Sequence, residues 1–514
     1  MSRDLDRRSA LAFMGAAGIG AAGLSAGARP VAAQTPRRGG TLNVGFIDDS
    51  RTLDPIMSIQ FSERQVLYLL FNTLLRMKPD FSLEPELAER WSVERDGTRL
   101  VFQLRAGVKF HDGTDFDAAA VKWNLDRRMD AAVNSPQRSQ LEMISSVEVT
   151  GPLTVAINTR QPFPPLLGHL AERPGFMVSP TAAERAGQDF GSQPIGTGPF
   201  KLSSWTRGNR IVLERNPNYW EAGLPHLDQI VFSNIAGAVV GVQRLITGEL
   251  DYVDGLSPQN VRQIESNREI KLDPITVGRW YSYQWHWNTA PFNNPRLRQA
   301  IAHAIDRRRI NDITMNGRGV VSNSPTPEGL WWHTPELPGF DYDPARARAL
   351  LAEAGIAPGT RFDLAAPTDP LLRQINQLVQ EQLRAVGIEA DLKPIAQSDW
   401  YARVVQRAIN FTPMRWTQRP DPDGLLSILF HSRGFANSTG YSNPEVDRLL
   451  EAARSTFDEA RRKDMYDQIH RLILQDLPYV PIYFSAEYAA LRQNVMNFRW
   501  IPDQIPRFAQ VWKG

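Results

Sequence analysis

The stretch that decides the fold runs from Leu87-Ala-Glu-Arg-Trp91 through Asp96-Gly97 to Phe102-Gln-Leu-Arg105-Ala-Gly-Val-Lys-Phe-His111-Asp-Gly-Thr114, and closes on Ala118-Ala-Ala-Val121. Asp-Gly between two apolar runs is a hairpin turn signal, because glycine accepts the positive φ that the tight turn needs. Leu100–Leu104 returns as a strand, Val108–Gly113 reads as a further short strand and turn, and Asp117–Arg128 reads as a helix that starts on an acidic residue. His111, Asp112 and Asp115 invite a metal or acid–base reading. Close spacing within one turn is not a converging ligand set, and no second histidine lies nearby, so a structural role is expected.

Outward from this block, Thr41-Leu-Asn-Val-Gly-Phe46 alternates as a strand and Gln65–Arg76 has helical spacing of leucines. Short strands flank Gly151-Pro152, and the loop Gly196-Thr-Gly-Pro-Phe200 feeds strands at Phe200–Trp205 and Arg210–Arg215. Trp280–Trp287 alternates aromatic residues as a strand would, and Pro295–Arg308 reads as one helix. A helix at Leu371–Val386 and a strand at Ile388–Lys393 form an α–β unit, and the prolines in Pro478–Phe484 point to an edge strand or a crossover. Helices and strands mix without a clean β-α-β repeat or a period of 20–50 residues, so the fold class is α/β rather than a solenoid or propeller.

These segments, in this order, resemble the extracytoplasmic solute-binding proteins of the peptide/nickel (family 5) ABC-transporter family. The blocks Arg215-Asn-Pro-Asn-Tyr-Trp220, Asn288 with Pro291-Phe292, Arg298-Gln-Ala-Ile301, Ala304-Ile-Asp306 and Tyr441-Ser-Asn-Pro-Glu-Val-Asp447 carry the likeness over about Gly39–Gly514. The resemblance implies a two-lobed clamshell with an inserted subdomain. One lobe would comprise residues 40–80, 195–275 and 485–514, the inserted subdomain residues 81–194, and the other lobe residues 276–484. A solute would be trapped in the cleft between the lobes by hinge closure and handed to an ABC permease in the inner membrane.

Peptide-binding members of such a family place aspartate in a Trp-x-x-Asp pattern to pair with the ligand's ammonium. Here Trp416-Thr-Gln-Arg419-Pro-Asp421-Pro-Asp423-Gly424 puts arginine at that position. A guanidinium prefers carboxylate or phosphate. The run resembles the glutathione-binding branch and implies an anionic, peptide-like solute, unless Arg419 pairs internally with Asp421 or Asp423. Trp416 is expected at the ligand. Tyr283 and Trp285 on the aromatic strand would line the cleft or fill the core, and Asn437 and Ser438 would offer neutral hydrogen bonds or shape a turn.

Composition narrows the alternatives. Lysine plus arginine number 58 against 56 acids, and residues 1–33 hold the surplus in Arg3, Arg7, Arg8 and Arg29 against Asp4 and Asp6. The remainder is neutral, with no basic footprint for nucleic acid. There are no cysteines, which removes thiol chemistry and disulfides. The eight histidines lack paired spacing, so no metal and no cofactor is expected, and nickel chelate, opine or sugar remain alternative solutes of the same fold. No His-Glu-x-x-His occurs, and an enzyme is not expected. A monomer is expected, in transport or in solute sensing for a receptor.

Residues 1–33 read as an export signal of twin-arginine type, with Arg7-Arg8-Ser-Ala-Leu11, an uncharged small-residue run at 10–27 and cleavage near Ala33, which implies a periplasmic protein. Gly18-Ile-Gly20-Ala-Ala-Gly23 and Gly23-Leu-Ser25-Ala-Gly27 spell a dinucleotide fingerprint and a hydrolase elbow, but neither has the strand–turn–helix context that gives these motifs their chemistry.

Overall fold

Apolar residues at alternate positions of Thr41–Phe46 make a strand with Leu42, Val44 and Phe46 in the core. It pairs in parallel with Gln229–Asn234 on one side and Tyr252–Leu256 on the other. Antiparallel strands extend both edges, giving the order Ile270–Ile275, Glu487–Arg492, Tyr252–Leu256, Thr41–Phe46, Gln229–Asn234, Arg210–Arg215, Phe200–Thr206. The computed structural model describes residues 35–46, 50–275, 278–501 and 503–514. The export signal and the two motifs within it lie outside the described residues.

A four-stranded antiparallel sheet holds the deciding stretch, in the order Ala88–Glu94, Arg99–Leu104, Thr154–Thr159, Ile144–Gly151. The Asp-Gly turn joins its first two strands, with Arg95, Asp96 and Gly97 at φ of 49°, 52° and 90°. Glycine is required at 97 on two counts, since a Cβ there would also stand 2.9 Å from the Phe457 ring. Helix Ala118–Met129 is capped by Asp117, whose carboxylate accepts from the Ala120 N–H at 2.8 Å.

Residues 108–113 do not form the expected strand. Only an isolated bridge joins Lys109 to Asp115. The backbone here turns toward the glycine loop instead: the His111 N–H donates to Gly196 O, and the His111 ring lies 3.0 Å from Gly198 O. Asp112 accepts from Ser179 Oγ at 2.6 Å and Asp115 pairs with Lys109. These three side chains therefore hold loops together.

The helix expected over 65–76 runs instead as Phe61–Leu70, and the chain becomes the strand Leu75–Met77. The glycine loop docks on the helix end, where Gly198 N–H donates to Leu70 O at 2.9 Å. A Cβ at Gly196 or Gly198 would come within 2.2–2.3 Å of the Leu69 or Leu70 carbonyl oxygen. The helix expected over 295–308 is two, Pro295–Ala304 and Arg307–Met315, because Asp306 caps the second by accepting from Arg309 N–H.

A three-stranded antiparallel sheet has Trp280–Trp285 at its centre between the edge strands Phe411–Trp416 and Tyr479–Phe484. A parallel pair, Thr360–Pro367 and Ile388–Ile395, is joined by helix Pro370–Ala385. Helices Asp423–Phe430, Pro444–Arg454 and Glu459–Asp476 follow the strand that ends at Trp416.

Candidate ligand-binding site

The loop from Thr417 to Pro422 leaves the sheet at Trp416 and enters helix Asp423–Phe430. Its acids are committed to that helical layer. Asp421 accepts from Arg462 Nη2 at 2.8 Å on both oxygens, and Asp423 accepts from Arg454 Nε at 2.8 Å. Gln418 Nε2 donates to Pro325 O at 2.9 Å. Among the described residues, Arg419 has neither a hydrogen bond nor an ion pair, and its aliphatic stem lies over Gly424. The internal pairing of Arg419 with Asp421 or Asp423 does not occur, because Arg462 and Arg454 occupy those acids.

The loop packs on a second segment. A Cβ at Gly168, in helix Pro165–His169, would lie 3.4 Å from Pro420 Cβ and 3.5 Å from Asp421 Cβ. Beyond that helix the chain presents Glu172 and Arg173. The Glu172 carboxylate pairs with Arg64 of helix Phe61–Leu70, and both residues are buried. Arg173 Nη2 donates to the carbonyls of Ile59 and Gln60 at 3.3 Å. Arg419 is within electrostatic reach of both Glu172 and Arg64. Of the three guanidiniums, drawn from three distant parts of the chain, Arg64 alone contacts the Glu172 carboxylate, and Arg173 and Arg419 act on it at longer range.

The electrostatics follow from burial and like charge. Burial pulls Arg419 below its ordinary value, with Glu172 opposing and Arg64 adding to the fall. Burial and the neighbouring Arg64 bring Arg173 down to about 10. Burial pushes the Glu172 carboxyl up, but Arg64, Arg419, Arg173 and His169 together outweigh it and hold the group low, hence ionised. Burial lowers His169, which favours neutral imidazole. Arg64 Nε, Arg173 Nε, Gln65 Oε1, Trp416 Nε1 and Gln418 Oε1 are buried polar atoms without a partner. Arg128 Nε, Arg244 Nε and Trp500 Nε1 elsewhere in the fold are in the same condition.

The expected site residues separate into two groups. Arg419 stands at the cluster, while Trp416 is half-buried, cross-strand from Trp280 and packed against the core. Tyr283 and Trp285 do not line it. Each is 1 % exposed, Tyr283 donates its hydroxyl to Asn376, and both rings stack on Phe411. The strand alternates, so these side chains enter the core on one face while Trp280, Ser282 and Gln284 take the other. Asn437 and Ser438 are spent internally. Asn437 donates to His431 O and Tyr441 O and accepts from Thr439, Gly440 and Tyr441; Ser438 Oγ bonds the Gln284 amide. Arg64, Glu172 and Arg173 were not singled out from sequence. The available signal was an arginine inside an apolar helix and an acid–base pair just before Pro174.

A cavity of about 370 Å³ opens beside Tyr68. Its main charges are already matched, Arg76 with Glu86 at 3.3 Å and Glu221 at 2.9 Å, and Arg507 with Asp503 at 2.7 Å. Lys78 and Arg499 also line it, with no ion pair among the described residues.

The sequence profile described as "Bacterial extracellular solute-binding proteins, family 5 Middle" matches residues 82–437. The chain belongs to the family 5 bacterial extracellular solute-binding proteins. The glutathione-binding protein GsiB of Shigella dysenteriae is 30% identical over 465 residues, covering 88% of this chain and 90% of that protein. The family 5 fold recurs in Helicobacter pylori DppA in complex with the peptide STSA, at TM-score 0.79 and 24% identity over 93% of this chain and 98% of that one. It recurs also in AgaA of A. tumefaciens R10 in complex with agropinic acid, at TM-score 0.76 and 26% identity over 92% and 99%. The α/β architecture with several sheets is accordingly the two-lobed clamshell of this family, and the family's role, solute capture for an ABC importer, is the role of this chain. Among the described residues no helix is long and apolar enough to cross a membrane.

Proposed function

We propose that this protein is the exported, periplasmic solute-capturing subunit of an ABC importer and that its solute is a small, acidic, peptide-like molecule. Residues 1–33 act as a twin-arginine signal cleaved near Ala33, and the mature protein works as a monomer that docks on an inner-membrane permease. Lobe I comprises 40–80, 195–275 and 485–514, with 81–194 inserted, and lobe II comprises 276–484. The protein binds and does not transform its solute.

One observation carries the acidic-solute reading: Arg419 stands three residues after Trp416 without a partner, while Arg462 and Arg454 hold the two following aspartates. A half-buried guanidinium with free donors is matched by a carboxylate. Trp416 offers an aromatic surface and an unpartnered indole N–H beside it. The likeness to glutathione- and agropinic acid-binding proteins supports the same class, since both named ligands carry carboxylates. Closure would couple to binding because Arg419 approaches from one lobe and Arg64 from the other.

Thermal unfolding against di- and tripeptides, glutathione, opines, sugars and nickel chelates tests the reading. A ligand at a hundred to a thousand times its Kd adds about 3–4 kcal/mol. Stabilisation by acidic members, abolished in Arg419→Ala, is expected. Stabilisation by sugars or nickel chelates that survives Arg419→Ala would sink the proposal.

A further inference from the structure

The cavity of about 370 Å³ beside Tyr68 has room for a small molecule. Its walls come from the hairpin of Leu75–Met77 with Leu83–Pro85, from residues 219–224 and from the segment 497–510. None of Arg64, Glu172, Arg173, Trp416 or Arg419 lines it, so it is a place apart from the Arg419 loop.

The hairpin register sets its charges. Arg76 stands opposite Glu84, and the Lys78 N–H donates to Ser82 O at 2.9 Å, which carries the pairing on past the strand end. Alternate residues of a strand share a face, and Arg76, Lys78 and Glu84 all line the cavity. Arg76 is committed to Glu86 at 3.3 Å and Glu221 at 2.9 Å, and meets Glu84 only at 3.9 Å. Glu86 is taken up further by Asn72 Nδ2, the Thr73 N–H and the Thr73 hydroxyl. Glu84 accepts no hydrogen bond among the described residues. Lys78 acts on Asp80 through space, but that carboxylate accepts from the Ser82 N–H at 2.9 Å and the Ser82 hydroxyl at 2.6 Å. Arg499 comes from the other wall. Arg507, its neighbour across an isolated bridge, is held by Asp503 at 2.7 Å, whereas Arg499 has no ion pair among the described residues.

The cavity thus offers one loosely held carboxylate and two cations without an acid, with Met77, Leu224 and Ile501 as apolar surface. Lys78 and Glu84 are diagonal neighbours across an antiparallel pair, a separation of about 7–8 Å. The ammonium and carboxylate of one α-amino acid, with a hydrogen bond at each end, span that gap. We infer that this cavity is a second binding site and that it takes a free α-amino acid with an apolar side chain. Lys78 and Arg499 hold its carboxylate, Glu84 holds its ammonium, and the side chain lies on Met77, Leu224 and Ile501. This site does not depend on which solute the Arg419 loop takes.

Calorimetric titration of the protein with leucine, acetyl-leucine and leucinamide tests this, since acetyl-leucine lacks the cation and leucinamide the anion. Leucine is expected to bind at least about tenfold more tightly than either, the scale of one hydrogen bond to a charged group. Glu84→Gln should weaken leucine and leave acetyl-leucine unchanged. Arg499→Gln should weaken leucine and leave leucinamide unchanged. Both side chains reach solvent, and loss of folding would not produce this crossed pattern. Absence of leucine binding, or equal affinities for the three compounds, would overturn the inference. Leucine binding that survives both substitutions but is lost in Arg419→Ala would place the amino acid at the Arg419 loop and overturn it as well. Failure of acidic peptides to bind would bear only on the Arg419 reading.

Discussion

Arg462 holds Asp421 through Nη2 at 2.8 Å from both carboxylate oxygens, and by doing so withholds that aspartate from Arg419. Both side chains are about nine-tenths buried, at 7% and 11% exposure. Removing the cation strands a charge in the interior. Arg462→Ala is expected to cost about 3–5 kcal/mol in urea unfolding. It should also weaken acidic-solute binding, because the freed Asp421 becomes a competitor for Arg419. Unchanged affinity in the folded variant would show that Arg419 does not meet the solute.

Gly424 supports the same arginine from below. A Cβ at this position would lie 2.9 Å from Arg419 Cβ and 3.0 Å from its Cγ, so the arginine stem must move. Gly424→Ala should cost about 1–3 kcal/mol by overpacking. Its more telling effect is a drop in affinity for acidic solutes, read by calorimetry under conditions where the variant is fully folded.

Trp285 gives the contrasting case. It stacks on Phe292 at 6.1 Å between centroids and is 1 % exposed. Trp285→Ala should cost about 3–5 kcal/mol. The folded fraction should retain native affinity, because the ring belongs to the core face of its strand. A specific loss of binding without loss of stability would return Trp285 to the cleft.

Asp254 links stability to pH. Burial raises its carboxyl to about 7, with Glu487 contributing and the Tyr252 and Gln65 hydrogen bonds opposing. The unfolded chain loses this proton near 3.8, so the native state binds more protons between about 4 and 7 and stability falls as pH rises through that window. The amplitude is on the order of a few kcal/mol. His470 and His111, lowered to about 3 and about 4 by burial, oppose it, since the native state then binds fewer protons than the unfolded chain below about 6.5. Asp254→Asn isolates the carboxyl. The stability difference between native protein and variant should grow with pH from about 4 to 7 in favour of the variant, and a flat difference in chemical unfolding would contradict the assignment.

Much of the fold was legible because it is written in near-neighbour patterns. The Asp96-Gly97 turn, the Asp117 cap and the helix Pro370–Ala385 each depend on residues within a few positions. The helix before Asn72 was read too far toward the C-terminus because its stop comes from Gly198, 128 residues later. The break at Asp306 was a local cap hidden inside a continuous apolar spacing.

Residue order alone carries the family, the alternation of the central aromatic strand and the arginine that stands where an ammonium-binding aspartate would. The tertiary structure decided which face of that strand entered the core, and so removed Tyr283 and Trp285 from the site. It decided too that Arg462, 41 positions away, and not Arg419 would neutralise Asp421. It brought Arg64 to Glu172 across 108 positions. Backbone periodicity is local and survives in the order of residues. Charge pairing depends on distance in space and on exclusion of water, and both exist only after the chain has folded.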